Sequence, residues 1–398
     1  MARLLARGLS LALTGLTACS APAQQPPAAP RPAPVQASGL PARPELLPPP
    51  RPEAAPARVE AVPVHAVPTR PVQLWPFTRL RNTDYVSLRD VAERFGLRAA
   101  WAKAELALTL GDPHGVRFTF DANQRDFRFD GLRVFLGEPA LLHKDSLWIS
   151  KLDVIKIVVP LLRPADHAAQ LPPAGPKVIV LDPGHGGIDP GTENKRVGVN
   201  EKTLALDVAL RARKILELQG WRVLLTREND APFSKDKRTD LLLRDEFANK
   251  NKADLFLSIH FNSAPEAITG VETYTMAPQF MLSTGDGTGD EMTKVAYPSN
   301  RLDFANLLFG EQLHRAMIDT LKTPDRGYKR GRRAVLRLLD CPGALVECAY
   351  LSNDAEARRA TTPEFRQQIA EGIARGVQGY VSALAALPPA PETEAKAK

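Results

Sequence analysis

From Ser20 to Val72 the chain reads PAQQPPAAPRPAP and then ELLPPPRPEAAPA, with no apolar period of helix or strand. Such a segment buries too little apolar surface to offset the entropy of ordering it. It cannot belong to a core, and its prolines favour an extended path at ~3.1 Å per residue, a reach on the order of 100 Å. This one stretch explains much of why 36 of 398 residues are proline, while hydrophobic content of 44% and charged content of 24% are ordinary for a soluble protein. The remaining length suffices for two or three domains with at least one full-sized core. A net charge of +7 favours anionic partners such as wall polymers or lipid head groups, and no basic run is dense enough to select nucleic acid. Three cysteines, Cys19, Cys341 and Cys348, are too few for a disulfide framework.

Residues 1–18 carry Arg3 and Arg7 and then an apolar run from Gly8 to Ala18, too short to span a bilayer and suited to a signal peptide. The run ends Leu16-Thr17-Ala18-Cys19, which resembles the lipobox of bacterial lipoproteins. That resemblance implies lipidation at Cys19, a membrane anchor without a transmembrane helix, and residues 19–72 as a disordered tether into the cell envelope.

Residues 73–165 read as a small α+β module. Ser87 and Asp90 cap a short helix, LRDVAERF, which Gly96 ends. LALTL, VRFTF and FRFDGLRVFL alternate as strands do, with Asp130-Gly131 as a hairpin signal. DSLWISKLDVIK repeats TDYVSLRDVAER in outline, with Ser150 and Asp153 echoing Ser87 and Asp90. The pattern resembles the copper-amine-oxidase N-terminal-like module, which implies a stalk or wall-binding role and no copper. His114 and His143 have no ligand neighbours at metal spacing.

Residues 177–387 change texture to alternating strands and helices, an α/β domain with a central mixed sheet of about six strands flanked by helices, followed by a tail at 388–398. KVIVLD, WRVLLTR, DLFLSIHFN, VETYTM, AVLRLLD and GALVECAYL are the expected strands. Helices are expected at Asn200–Leu218, Leu241–Asn249, Leu302–Leu321 and Glu364–Leu384. The stretch Ala277–Ser299 reads either as a mobile rim or lid beside the cleft or as a surface insertion away from it, in both cases with no blocking helix, because GDGTGDE lacks helical apolar spacing.

Four chemistry-bearing residues stand on or beside these strands. KVIVLD runs into Asp182-Pro183-Gly184-His185-Gly186-Gly187, a tight turn that puts an imidazole at the carboxyl end of a buried strand, where a lone histidine would usually be structural. Glu201 opens the following helix, where the macrodipole alone would favour it. His260 closes DLFLSIH, and a core histidine held by one hydrogen bond would read the same way. Glu347 lies inside the apolar strand ALVECAYL, where a carboxylate needs a metal, a partner or a proton. Two imidazoles and a carboxylate are the ligand set of an open zinc site, and a second carboxylate would supply a general base.

LDPGHGGIDPG, GVNEKTLALDVALRARKILE, LLTRE, ADLFLSIHFNS, GVETY, AVLR and ALVECAYLSN, in this order, resemble the successive motifs of the zinc-dependent N-acetylmuramoyl-L-alanine amidases from Lys177 to Tyr380. The resemblance implies one Zn²⁺ on His185, Glu201 and His260, with Glu347 as the catalytic glutamate. It also implies peptidoglycan as substrate, cut between N-acetylmuramic acid and L-alanine, in wall remodelling or daughter-cell separation. Cys348 stands where that family more often has a small or apolar residue. Arg227, Arg244 and Arg337 also fall in these motifs and are expected in salt bridges within the fold. The rival readings are a zinc peptidase acting on the stem peptide and a wall-binding protein without chemistry.

Overall fold

The computed structural model describes residues 75–172, 177–284 and 290–388. The signal peptide, Cys19, the tether and the tail beyond Pro388 lie outside the described residues. Among those described, no helix is long and apolar enough to cross a membrane.

The first part of the fold is a meander. Strands β1 (Thr78–Leu80) and β2 (Thr83–Ser87) lead into helix α1 (Leu88–Phe95). Ser87 caps α1 by accepting from the Arg89 amide, and Gly96 ends it at φ 65°, as the turn chemistry of LRDVAERFG requires. Strands β3 (Arg98–Lys103), β4 (Ala107–Asp112), β5 (Gly115–Asp121), β6 (Asp126–Phe129) and β7 (Leu132–Phe135) follow as successive antiparallel neighbours. Asp130 and Gly131 take the positive φ values, 45° and 81°, that the two-residue hairpin demands. Strands β8 (Leu141–His143) and β9 (Ser146–Ser150) join β1 and β2 in a separate four-stranded sheet. Ser150 echoes Ser87 as expected: its hydroxyl accepts from the Asp153 amide and donates to the buried Asp153 carboxylate.

The second part is a layered α/β unit. Strand β10 (Val178–Pro183) is followed by a small hairpin, β11 (Glu193–Asn194) and β12 (Val199–Asn200), and by helix α2 (Glu201–Leu218). Then come β13 (Arg222–Leu225), α3 (Lys237–Lys250), β14 (Leu255–Asn262), β15 (Val271–Met276), α4 (Asp303–Leu321), β16 (Asp325–Gly331), β17 (Gly343–Tyr350), α5 (Asp354–Ala360) and α6 (Pro363–Ala385). The six strands stand in the order β13-β10-β14-β17-β15-β16, with β15 antiparallel to β17 and the other pairings parallel. Side chains alternate across the sheet with period two. Ile179, Leu181, Leu257, Ile259, Val346 and Cys348 face the core made with α2, α4 and α6. Val180, Phe256 and Leu345 face α3 and the turn at Ala334–Leu336. Both faces are covered, which is why these strands read as continuous apolar runs.

One expected strand is corrected. AVLRLLD is not in the sheet; Ala334–Leu336 form one 3₁₀ turn, and the strand beside β15 is the charged-looking DRGYKRG of β16. Val335, Leu336 and Leu339 are all buried, a spacing that suits a turn lying on a sheet face and not an alternating strand. β16 carries its sheet position through Tyr328, fully buried, and through Arg330, whose guanidinium donates to Thr275 Oγ1 at 2.6 Å.

The sheet does not stop at β16. Tyr328 pairs in parallel with Val134 of β7, so the meander extends the six strands into one sheet of eleven. Tyr328, Leu307 and Met281 share a buried cluster with Phe118, Phe120, Phe127 and Phe129 of the meander. Arg128 lies 3.2 Å from Asp325, and Lys156 lies 2.8 Å from Asp303. The stretch read as a lid or a surface insertion also lies at this junction. Arg125 donates to the carbonyls of Leu282 and Ser283 at 3.5 and 3.4 Å, and Arg332 holds those of Met281 and Pro278 at 2.8 and 2.9 Å. Its described helical pieces are the single turn Asp290–Thr293 and the start of the 3₁₀ helix Pro298–Leu302.

Asp245 on α3 provides a test of this packing. It is buried, its Oδ2 accepts from the Leu338 amide at 3.2 Å, and its Oδ1 has no hydrogen-bond partner among the described residues. Burial pushes its carboxyl up to about 8 despite the Leu338 amide, and the Asp182 charge adds to the shift. The folded value thus exceeds the unfolded value of about 3.9. Stability from this group is complete below that pH and is lost as pH rises toward 8. Asp245→Asn removes the titration, so its melting temperature relative to wild type should climb steadily from pH 5 to pH 8. A pH-independent difference between the two melting curves would show that the carboxyl is not held neutral.

Candidate active site

The site is built on a turn that would be unfavourable alone. His185 sits at φ 62°, a left-handed conformation costing a non-glycine residue about 1–2 kcal/mol. Two buried arginines hold it there through backbone oxygens. Arg227 donates to the carbonyls of Pro183 (3.0 Å), Gly184 (2.8 Å), Lys202 (2.7 Å) and Asn229 (3.1 Å). Arg244 donates to those of Pro183 (3.0 Å) and His185 (2.9 Å) and pairs with Asp182 and Asp240, both at 2.7 Å. The expectation of salt bridges thus holds for Arg244. Arg227 works through carbonyls, and Arg337 likewise donates to the Arg332 carbonyl at 2.8 Å. Burial, with the like charge of Arg244, draws the Arg227 guanidinium down to about 10.

Three of the four residues expected in the site meet at one point. Glu201, the first residue of α2 after its Asn200 cap, is buried, and its Oε1 lies 3.1 Å from His185 Nε2 and 2.8 Å from His260 Nδ1. One donor atom from each residue falls within 4.8 Å of the others, a set able to hold a metal ion. The amides of Thr192 (2.7 Å) and Phe261 (3.0 Å) donate to the Glu201 carboxylate. Burial opposes its ionisation, yet the two imidazoles hold its pKa well below the ordinary carboxylate range. Burial likewise works against protonated His185, and the carboxylates of Glu201 and Asp189 overcome it.

Two glycines make the convergence possible. A Cβ on Gly184 would stand 2.3 Å from the His260 ring, and one on Gly191 would stand 2.5 Å from Glu201 Oε2 and 2.7 Å from the His185 ring. Gly191 also has φ +67°, so the loop that carries it closes over the carboxylate only with glycine there.

Glu347 faces the same cleft from the neighbouring strand, in register with His260 across β14 and β17. Its Oε2 is buried without a hydrogen-bond partner among the described residues. Burial first, then the charge of Glu201, pushes its carboxyl well above the ordinary range, partly offset by Arg333. Cys348 points to the opposite face of β17, into the helix-side core, and both Cys341 and Cys348 are free thiols.

The cleft has a volume near 550 Å³ and is lined by His185, Glu201, His260 and Glu347 together with residues the sequence did not single out. Asp189 stands 3.0 Å behind His185 Nδ1, is itself 3.0 Å from Lys237, and is held near 2: burial opposes this shift, but His185 and Lys237 outweigh it. A carboxylate behind a histidine is the usual support of a ligand imidazole, but no sequence spacing announces it. Glu272 is the register partner of Glu347 on β15 and accepts from Asn262 at 2.5 Å, from Tyr274 at 3.0 Å, and from Lys329 and Tyr350. The described parts of Ala277–Ser299 are not among the lining residues.

With that geometry, residues 179–379 match the N-acetylmuramoyl-L-alanine amidase family model. The chain belongs to this family. It is 32% identical over 216 residues to the germination-specific N-acetylmuramoyl-L-alanine amidase of Bacillus subtilis, covering 52% of this chain and 81% of that protein. It is 33% identical to the amidase AmiC of Neisseria meningitidis, covering 52% and 53%, and 34% identical to a cell wall amidase of Bacillus anthracis, covering 51% and 35%. The match thus spans about a third to four fifths of these relatives' lengths. The solved catalytic domain of the amidase CwlV from Paenibacillus polymyxa is 30% identical, covering 52% of this chain and 98% of that one, with a TM-score of 0.43. This amidase-family segment contains all four site residues.

The arginine scaffold can be tested apart from any chemistry. Arg227→Met removes a donor from four carbonyls, of which Pro183 keeps Arg244, and the loss should be on the order of 3 kcal/mol of unfolding free energy in urea. A change under about 0.5 kcal/mol would show that the turn holds without this residue.

Proposed function

We propose that this chain is a zinc-dependent amidase that hydrolyses the bond between N-acetylmuramic acid and L-alanine in peptidoglycan. The observation that carries the reading is a buried carboxylate oxygen on Glu347, without a hydrogen-bond partner among the described residues, sharing one cleft with a three-residue donor set inside the family match. Two imidazoles and one carboxylate suit zinc, leave room for water, and converge where glycines at 184 and 191 keep the space clear. His185, Glu201 and His260 would hold the metal, which would supply Lewis-acid activation of water and of the lactyl carbonyl. Glu347 takes the proton of the attacking water and passes it to the departing amine. The buried amide donors on Glu201 and the Asp189 carboxylate behind His185 keep the donor set in place throughout.

The two carboxylates should fail differently. His185→Ala, Glu201→Ala and His260→Ala are expected to lose zinc and activity together. Glu347→Gln should retain close to one zinc while turnover on a defined muropeptide falls by roughly 10² or more. Metal content by atomic emission beside turnover decides the assignment, and the reverse pattern would exchange the two roles. Mass spectrometry of the products separates this chemistry from a stem peptidase, since an amidase releases stems with a free L-alanine amine.

The same reading places the protein in the cell envelope, as a lipoprotein anchored through Cys19, with the copper-amine-oxidase-like meander contacting the wall. Cys19→Ala should abolish labelling by a palmitate analogue and release the protein from the membrane fraction. Membrane association unchanged in that variant, with no lipid on the wild type, overturns the anchor.

A further inference from the structure

We propose that Arg333 is the specificity-determining residue that binds the first free carboxylate of the peptide stem beyond the cut amide. The inference rests on the amidase reading of the cleft and identifies which wall of it reads the peptide.

Arg333 lines the cleft together with Glu347 and Leu345. Its place is fixed by packing on both backbone and side chain. Its backbone (φ −58°, ψ 135°) starts the turn at Ala334–Leu336, and its carbonyl accepts from the Leu336 amide at 3.0 Å. Its guanidinium carbon lies 4.2 Å over the ring of Tyr274, and that ring is anchored in turn by its hydroxyl on Glu272 at 3.0 Å. A cation already packed over an aromatic ring loses less rotamer freedom when it takes up a ligand.

The charges of the cleft are divided between its walls. Its acids are Asp189, Glu193, Glu201 and Glu347, and its other cation, Lys237, stands 3.0 Å from Asp189, on the His185 side. Lys237 thus supports the back of His185, while Arg333 rises from the wall formed by β15 and β17. The substrate is divided in the same sense. Once the lactyl carboxyl is tied up in the amide, the sugar half carries no anion, and every free carboxylate belongs to the stem. A planar guanidinium reads a carboxylate with two parallel hydrogen bonds, a geometry a lysine cannot reproduce. The stem therefore runs along the Arg333 wall, and the sugar lies toward the hairpin Glu193–Asn200.

The test uses full-length enzyme and two N-acetylmuramoyl peptides that differ at one group, the α-carboxylate of the second stem residue, free in one and a carboxamide in the other. Wild type should favour the acid by about tenfold or more in kcat/KM, mostly through KM, the scale of a charge-assisted hydrogen-bond pair. In Arg333→Gln that ratio should fall to about one, and Arg333→Lys should lie between. A ratio is insensitive to the fraction of folded enzyme, so partial unfolding of a variant does not imitate the result. A preference that survives in Arg333→Gln, or a wild-type ratio near one, overturns the assignment of Arg333 while leaving the amidase reading intact. Wild type that cuts neither compound overturns that reading, and this proposal with it.

Discussion

The Asp182 carboxylate, fully buried at the carboxyl end of β10, is the point on which the site depends. It accepts from Thr226 Oγ1 at 2.6 Å, Ser258 Oγ at 2.7 Å and Arg244 at 2.7 Å. Burial alone would push this acid up, but Arg244 and the two hydroxyls reverse the shift and hold it ionised. Each partner comes from a different element: the end of β13, the middle of β14, and α3. Removing one member of such a buried pair typically costs about 3–5 kcal/mol, because the other charge is left stranded. The cluster fixes the register of three strands at the edge where the chemistry sits, and through Arg244 it fixes the carbonyl of His185 as well.

A strained turn, a capped helix and two strand ends then deliver their side chains to one place. His185 tolerates a left-handed backbone because Arg227 and Arg244 saturate the carbonyls around it. Glu201 reaches the two imidazoles from the first turn of α2, where the Asn200 side chain accepts from the Thr203 amide at 3.2 Å and the helix dipole favours a carboxylate. His260 and Glu347 need no special geometry beyond register, since adjacent parallel strands bring them level on the same face of the sheet. The site is therefore as rigid as the sheet end that carries it, which suits preorganised charge stabilisation.

The meander adds a second constraint at the far side of the sheet. By pairing with β16 through Val134 and Tyr328, it covers what would otherwise be an exposed strand edge beside β15. Tyr328 is fully buried between the two parts, and its hydroxyl shares a hydrogen bond with Thr275 at 2.8 Å. β15 in turn presents Glu272 to the Lys329, Tyr350 and Asn262 side chains next to Glu347. The meander thus lies two strands away from the acid network of the site.

Local chemistry was legible from residues alone. LRDVAERFG marked a capped helix, Asp130-Gly131 a hairpin, and KVIVLD and DLFLSIHFN buried strands with histidines at or just beyond their ends. An apolar strand interrupted by one carboxylate marked Glu347, because an acid in that setting requires a reason. These signals act over a few neighbours along the chain, where turn stereochemistry and side-chain period leave few alternatives. What the sequence did not determine depends on residues far apart in it. Only the tertiary structure put Asp189 behind His185, Glu272 opposite Glu347 and Arg333 above Tyr274. It also gave the sheet slot beside β15 to DRGYKRG and left the more apolar AVLRLLD as a turn, since Tyr328 completes a core shared with the meander while Val335, Leu336 and Leu339 fill the α3 face. Strand choice there was decided by which apolar surfaces found partners, and a pattern read along one segment carries no record of its partners.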